Sequence, residues 1–242
     1  MSRLTYTEPV ASAMGTPADD TFIVTIDGPA GSGKTTVSRQ VATRLGFDYV
    51  DTGALYRGVA CAAVEAKIAL DDDAALKRLC NTIDIRLIRR DDGLRLMVNG
   101  EDVSDKIRTP EMAMAASAVS ARPVVRQFLL KLQRRLGSHR KSVFEGRDMG
   151  TVVFPGAAVK LYLDADISVR AERRYRELAG KHKVSLAEVR RDMQLRDKND
   201  ATRAVAPLKA AKDAICLDTA GMTIDEVVER IVEIATDAYR KK

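Results

Sequence analysis

Residues Gly28-Pro29-Ala30-Gly31-Ser32-Gly33-Lys34-Thr35 fit the pattern G-x-x-x-x-G-K-[ST] at every fixed place. Glycines let a chain turn tightly around a phosphate. The backbone N–H groups of such a loop can point inward, and the N-terminus of the following helix adds a favourable dipole. The candidate triphosphate-binding residues are therefore Gly28, Ala30, Gly31, Ser32, Gly33, Lys34, Thr35 and Thr36. Lys34 would reach the β and γ phosphates, and the Thr35 hydroxyl would face a bound Mg²⁺ ion. The setting agrees: the apolar run Phe22-Ile23-Val24-Thr25-Ile26 precedes the loop. A helical pattern follows from about Lys34 to Leu45, with Val37, Val41 and Leu45 on one face and Gly46 as its stop. ATPases, GTPases and kinases all use this cradle, so the motif alone leaves the reaction open. A switch protein would show a guanine-reading N-K-x-D, which does not occur in the sequence.

A second group of residues could meet a phosphate acceptor. Glu145-Gly146-Arg147-Asp148 follows the short strand candidate Val143-Phe144. In an open parallel sheet, ligands bind beyond the carboxyl ends of strands. Arg147 could touch an acceptor phosphate and Asp148 a polar base; a buried ion pair or a turn is the other reading. Asp51-Thr52-Gly53 also follows a strand candidate, and Arg57 lies about one helical turn beyond it. Arg196-Asp197-Lys198-Asn199-Asp200-Ala201-Thr202-Arg203 is polar and reads as a flexible flap that could close over two phosphorylated ligands. The alternative is a solvated helix with a charged loop. His139 and His182 stand apart among basic residues and read as surface side chains. No C-x-x-C, H-E-x-x-H or G-x-S-x-G pattern occurs.

These residues need elements to hold them. The 242 residues suffice for one large α/β core, or for a core with a small inserted lobe. Phe47 to Val50 reads as a second strand, Gly53 to about Ala66 as a helix, and Asp71 as the cap of a helix through Leu79. Ile83, Ile85 and Leu87, then Leu94, Leu96 and Val98, alternate with polar residues around Asp91-Asp92-Gly93, and Asn99-Gly100 follows. This is an antiparallel ribbon. Thr109-Pro110-Glu111 starts a further helix, Arg122-Pro123 interrupts it, and another runs to about Leu136. Val159 to Leu163 reads as an inner strand and Ile215-Cys216-Leu217 as the last one. Ser185 with Glu188, and Thr223 with Glu226, form capping boxes. Strands alternating with helices imply a parallel sheet covered on both faces. Residues 1–20 lack a secretory pattern and read as a flexible tail. No apolar run is long enough to span a bilayer. Cys61, Cys80 and Cys216 have no metal spacing and read as reduced, buried thiols of a cytoplasmic protein. The 40 basic against 34 acidic side chains include many second-half arginines, whose planar forks suit phosphate.

Taken together, Thr25-Ile26-Asp27 with the cradle, Asp51-Thr52-Gly53-Ala54-Leu55-Tyr56-Arg57, Gly146-Arg147-Asp148-Met149-Gly150-Thr151-Val152-Val153-Phe154-Pro155 and Arg203-Ala204-Val205-Ala206-Pro207-Leu208 resemble bacterial-type cytidylate kinases of the nucleoside monophosphate kinase group. The resemblance runs over nearly all of residues 22–240. It implies an α/β P-loop kinase: a parallel sheet covered by helices, a small inserted nucleotide-binding lobe at 80–105 and a mobile lid at 176–206, within a domain spanning 21–240. It implies transfer of the ATP γ-phosphoryl group to CMP or dCMP with Mg²⁺, in a cytoplasmic monomer with neither nucleic acid nor membrane as partner. UMP or a related acceptor is the other kinase reading. By the same likeness Lys34, Arg147, Arg196 and Arg203 would act on the moving phosphoryl group, and Arg57, Arg147 and Arg203 would hold phosphates. Thr52, where the family usually has serine, would keep a hydroxyl near the base. Ser117, Arg126 and Asp148 would read cytosine, and Arg196 and Asp200 would approach the acceptor from the lid. Two departures stand out: Thr35 replaces the glycine that some relatives carry, and Asn199 replaces an arginine of close relatives. Lys198 or Arg191 are the cations that could substitute.

Overall fold

The computed structural model describes residues 21–90, 93–138, 140–180 and 183–242. The N-terminal stretch read as a tail, the Asp91-Asp92 turn and both histidines lie outside the described residues. In chain order the elements begin β1 (Phe22–Asp27), α1 (Lys34–Leu45), β2 (Asp48–Asp51), α2 (Thr52–Glu65), α3 (Asp73–Thr82), β3 (Ile85–Arg90), β4 (Gly93–Val98) and β5 (Glu101–Asp102). Then come α4 (Pro110–Ser120), α5 (Pro123–Gly137), β6 (Lys141–Gly146), a π-helical turn at Met149–Val153, β7 (Val159–Asp164), α6 (Ile167–Leu178), α7 (Leu186–Thr202), β8 (Ile215–Asp218) and α8 (Ile224–Arg240). The chain divides into two compact units, residues 51–139 and residues 21–50 with 140–242.

The discontinuous unit is built on a five-stranded sheet of order β2-β6-β1-β7-β8. Strand β1 lies at its centre, parallel to β6 on one side and to β7 on the other, and β7 is parallel to β8. Parallel register puts Val24 beside Val143 and Val159, and Thr25 beside Phe144 and Lys160. Alternation then sends Phe22, Val24 and Ile26 to one face. There they join Val37 and Val41 of α1 and Val227, Val228, Ile231 and Ala235 of α8 in one apolar core. The opposite face of β1 and β6 carries the π-helical turn, and Phe144 packs against Phe154 with ring centroids 4.5 Å apart. Helices α6 and α7 pack on each other, with Ala171, Leu178, Val189 and Met193 buried alongside Ala30. Both capping boxes form: Ser185 with Glu188 starts α7, and Thr223 with Glu226 starts α8.

The continuous unit holds the ribbon. Ile85 pairs with Val98 and Leu87 with Leu96 in antiparallel register. Asn99 and Gly100 both have positive φ, 50° and 87°, which makes the two-residue turn into β5. Helix α2 packs on α4, α5 and β4, and α3 packs on α5. Thr109 caps α4 by accepting from the Met112 N–H at 3.2 Å.

Several boundaries move. The cap before α3 is Asp72, which accepts from Ala75 N–H at 2.9 Å, and the helix runs on to Thr82. Asp51 rather than Gly53 marks the start of α2, because its carboxylate accepts from Ala54 N–H at 3.0 Å. The strand expected only at Val143-Phe144 is six residues long. Its polar ends, Lys141 and Glu145, hid its length from an apolar pattern. Residues 196–202 are the last turns of α7 rather than a loop. Cys61 and Cys80 are buried, but Cys216 is exposed on the edge strand β8. Among the described residues no helix is long and apolar enough to cross a membrane.

Ile26 is fully buried at the centre of this sheet. Ile26→Ala is expected to lower unfolding stability by about 2–5 kcal/mol, read from the urea midpoint at unchanged slope. A loss under about 1 kcal/mol would mean that the core can collapse around the missing atoms.

Candidate active site

The cradle leaves the carboxyl end of β1 and runs into α1. Gly28 has φ of 149°, and a Cβ there would lie 2.0 Å from the Leu163 carbonyl oxygen. Only glycine therefore fits where the loop crosses the end of β7. Gly33 adopts a left-handed conformation just before α1. Lys34 is 5% exposed. Its ammonium donates to the Pro29 carbonyl at 2.5 Å and to the Ser32 hydroxyl at 3.1 Å. Burial, followed by the nearby guanidiniums of Arg147 and Arg196, holds Lys34 well below its ordinary pKa, while Glu145 and Asp27 pull the other way. The cradle lysine thus shares one electrostatic neighbourhood with two of the arginines singled out from the sequence.

Thr35 and Thr36 are exposed at the start of α1. The Thr35 hydroxyl donates to Glu145 Oε1 at 2.7 Å, and the Tyr49 hydroxyl donates to Glu145 Oε2 at 2.7 Å. Glu145 faces α1 because it lies in register with Ile26 on the same side of the sheet. Among the described residues no group of three or more carboxylate, imidazole or thiol side chains gathers as a metal-binding set.

Beyond the end of β6 the chain places Arg147 and Asp148. Arg147 Nε donates to Asp200 Oδ2 at 3.1 Å, and its Nη1 donates to the Gly146 carbonyl at 3.2 Å. Arg203 Nη2 donates to Asp148 Oδ1 at 3.4 Å, and Arg203 Nη1 lies 3.8 Å from Asp200 Oδ1. Arg203 Nε also donates to the Ala206 carbonyl at 2.6 Å. The alternative reading of Glu145–Asp148 as an ion-paired turn is what the contacts show: Asp148 is buried against Arg203, and Arg147 is paired with Asp200 just past the strand end. Arg196, Asp200 and Arg203 fall at i, i+4 and i+7, one face of α7 and its C-cap. Asn199, Lys198 and Arg191 are exposed.

A second contact holds α7. Asp197 Oδ1 accepts from the Ala30 backbone N–H at 3.2 Å, while Arg170 Nη1 donates to Asp197 Oδ2 at 2.5 Å and to the Ala30 carbonyl at 2.9 Å. Helices α6 and α7 are thereby tied to the cradle itself.

The remaining candidates lie in the continuous unit. Thr52 is the first residue of α2 and is buried, Ser117 is buried in α4, and Arg126 is buried in α5. Arg57 pairs with Asp51 at 2.7 Å, so Asp51 both caps α2 and anchors this arginine. The Arg126 guanidinium lies 5.6 Å from the Tyr56 ring centroid and donates to the Ser120 carbonyl at 3.2 Å.

Sequence reasoning gave no role to Glu145, Tyr49, Asp27, Arg170 or Asp197. For Asp27 and Glu145 a signal existed: each is an acidic residue at the end of an otherwise apolar strand. For the others the spacing carried none.

The family model described as "Cytidylate kinase" matches residues 24–237. The chain belongs to the cytidylate kinase family. The cytidylate kinase of Syntrophotalea carbinolica is 47% identical over 217 residues, covering 89% of this chain and 92% of the relative. That of Geobacter sulfurreducens is 47% identical over 220 residues, covering 90% and 94%. That of Carboxydothermus hydrogenoformans is 46% identical over 212 residues, covering 87% and 96%. Family membership spans the cradle, the turn after β6 and α7 in one stretch.

Asp148, Asp200 and Arg203 form a buried charge cluster, and removing one member leaves the others poorly compensated. Arg203→Met is expected to destabilise the protein by about 3 kcal/mol, and adding Asp148→Asn should recover part of that loss in urea unfolding. Strict additivity of the two changes would show that the pair is not coupled.

Proposed function

We propose that this protein is a phosphotransferase that moves the γ-phosphoryl group of ATP to CMP or dCMP, giving ADP and CDP or dCDP. The observation that carries the reading is the convergence of the cradle lysine with Arg147 and Arg196, from β6 and α7, in a chain of the cytidylate kinase family. A simple nucleotide switch does not need a second set of anion-binding side chains at the mouth of its cradle. A kinase does, because it must bring two polyanions together.

The cradle's backbone N–H groups and Lys34 would grip the ATP phosphates. Arg147 and Arg203 would hold the acceptor phosphate, with Arg57 serving the same charge. Asp148, Ser117 and Arg126 would offer hydrogen bonds to the cytosine edge, with the Thr52 hydroxyl near the base. Arg196 and Asp200 would reach the acceptor's sugar and phosphate from α7. Lys34 and the arginines would then offset charge that spreads over the phosphoryl oxygens during in-line transfer. The acceptor phosphate is anionic near neutral pH, so no dedicated general base is required. Helix α7 would exclude water from the reacting groups.

A hydroxyl and a carboxylate 2.7 Å apart, Thr35 and Glu145, are hard oxygen donors of the kind Mg²⁺ takes. Together with nucleotide oxygens they would hold this ion, which would supply neutralising charge to the donor's phosphates. The reading also makes the chain a cytoplasmic monomer working on free nucleotides, with neither nucleic acid nor membrane as partner.

The test is an acceptor panel with ATP and Mg²⁺. CMP and dCMP should be phosphorylated in preference to UMP, AMP and GMP, and equal or better use of UMP would overturn the assignment. Lys34→Ala should lower turnover by about 100- to 1000-fold with an unchanged circular dichroism spectrum. Near-normal transfer by that variant would remove Lys34 from the mechanism.

A further inference from the structure

Asp27 is the last residue of β1 and directly precedes Gly28, the first residue of the cradle. It is 4% exposed. Its Oδ1 accepts from Met149 N–H at 2.9 Å and its Oδ2 from Gly150 N–H at 2.8 Å. Those two amides open the π-helical turn. The turn's own bonds run from Val153 N–H to Asp148 O at 3.2 Å and from Phe154 N–H to Met149 O at 2.7 Å, five residues apart. The first amides of any helical turn lack internal partners, and π-helical turns occur often at functional sites. Arg147 and Asp148 sit immediately before it. One carboxylate therefore joins the root of the cradle to the turn that carries the two residues assigned to the acceptor.

The side of β1 that Asp27 faces agrees. Asp27 alternates with Ile26, so it shares the face of Thr25. A Cβ on Gly150 would lie 3.1 Å from Thr25 Oγ1 and 3.3 Å from Lys160 Cδ, so the turn is pressed against this face. The carboxylate is kept although it is costly. Burial, the largest influence, pushes it up to about 6 and Asp148 adds to the rise, against the two amide bonds and Lys34. A value near 6 still leaves it mostly ionised at neutral pH, as a double acceptor requires. A residue needed only to fill this volume would be apolar.

We propose that Asp27 is a positioning residue for the acceptor: through paired hydrogen bonds to Met149 and Gly150 it fixes the turn after β6, and with it Arg147 and Asp148, relative to the phosphate cradle. Asp27 touches no reacting atom in this role. Its effect reaches the substrate through the backbone of the turn, and this rests on the reading of Arg147 and Asp148 as acceptor residues.

The test compares wild type with Asp27→Asn, which keeps the shape but turns one of the two acceptors into a donor, and with Gly150→Ala, whose Cβ would crowd Thr25 Oγ1 and press on the same turn without altering Asp27. Each variant is expected to raise the KM for CMP by about tenfold or more, the weight of one charge-assisted hydrogen bond. In Gly150→Ala, which leaves the Asp27 charge beside Lys34 in place, the dissociation constant of a fluorescent ATP analogue should stay within about twofold. Amide hydrogen exchange at Met149 and Gly150 should speed up by about tenfold in Asp27→Asn. An unchanged KM for CMP in both variants, or equal weakening of ATP and CMP in Gly150→Ala, would overturn the proposal. If Asp27→Asn does not fold, Gly150→Ala decides on the same two criteria. Hydrogen exchange needs no substrate, so it separates failure of the clamp from failure of the CMP assignment, which the wild-type acceptor panel reports.

Discussion

The arrangement depends on holding several cations within reach of one another at the carboxyl edge of a parallel sheet. Lys34 is buried, and both burial and the neighbouring Arg147 and Arg196 work against its charge. Left alone, such a cluster would repel itself or lose a proton. The strand ends and α7 supply the counter-charges: Asp27 from β1, Glu145 from β6, Asp148 just beyond it, and Asp200 from α7. These carboxylates, together with the backbone carbonyls of Pro29, Gly146 and Ala206, hold the cations in place. An incoming polyanion then meets preorganised positive charge and need not rearrange it.

How much of this the sequence reveals depends on the kind of signal. The cradle and α1 were legible to the residue, because a fixed motif, an apolar strand and a 3.6-residue stripe agree in one place. The capping boxes were legible for the same reason. Strand β6 was under-read because Lys141 and Glu145 break the apolar run, although polar residues at strand ends are where a site in such a sheet draws its side chains. The last turns of α7 read as a loop because their composition is polar. The inward face survives only as the spacing of Arg196, Asp200 and Arg203. The π-helical turn has no pattern of its own, and it is stabilised by a carboxylate more than a hundred positions earlier in the chain.

Helix α7 shows why regular structure serves better here than a floppy flap. A loop carrying Arg196, Asp200 and Arg203 would present them independently. A capped helix presents them as one rigid row, so each guanidinium keeps its relation to the others. Asp197, one residue away, ties that row to Ala30 through Arg170. Asn199, between the two arginines of that row, is exposed.

The central strand has a further consequence for how the chain is made. Phe22 pairs with Lys141, and Val24 with Val159, so β1 leaves the ribosome about 120 residues before its nearest neighbour exists. At about 5–20 residues per second that interval lasts several seconds to some tens of seconds. Throughout it Phe22, Val24 and Ile26 form an apolar segment with both edges open, while residues 51–139 emerge as a contiguous piece able to condense first. Closure of the sheet around β1 therefore waits for β6 and β7 to appear.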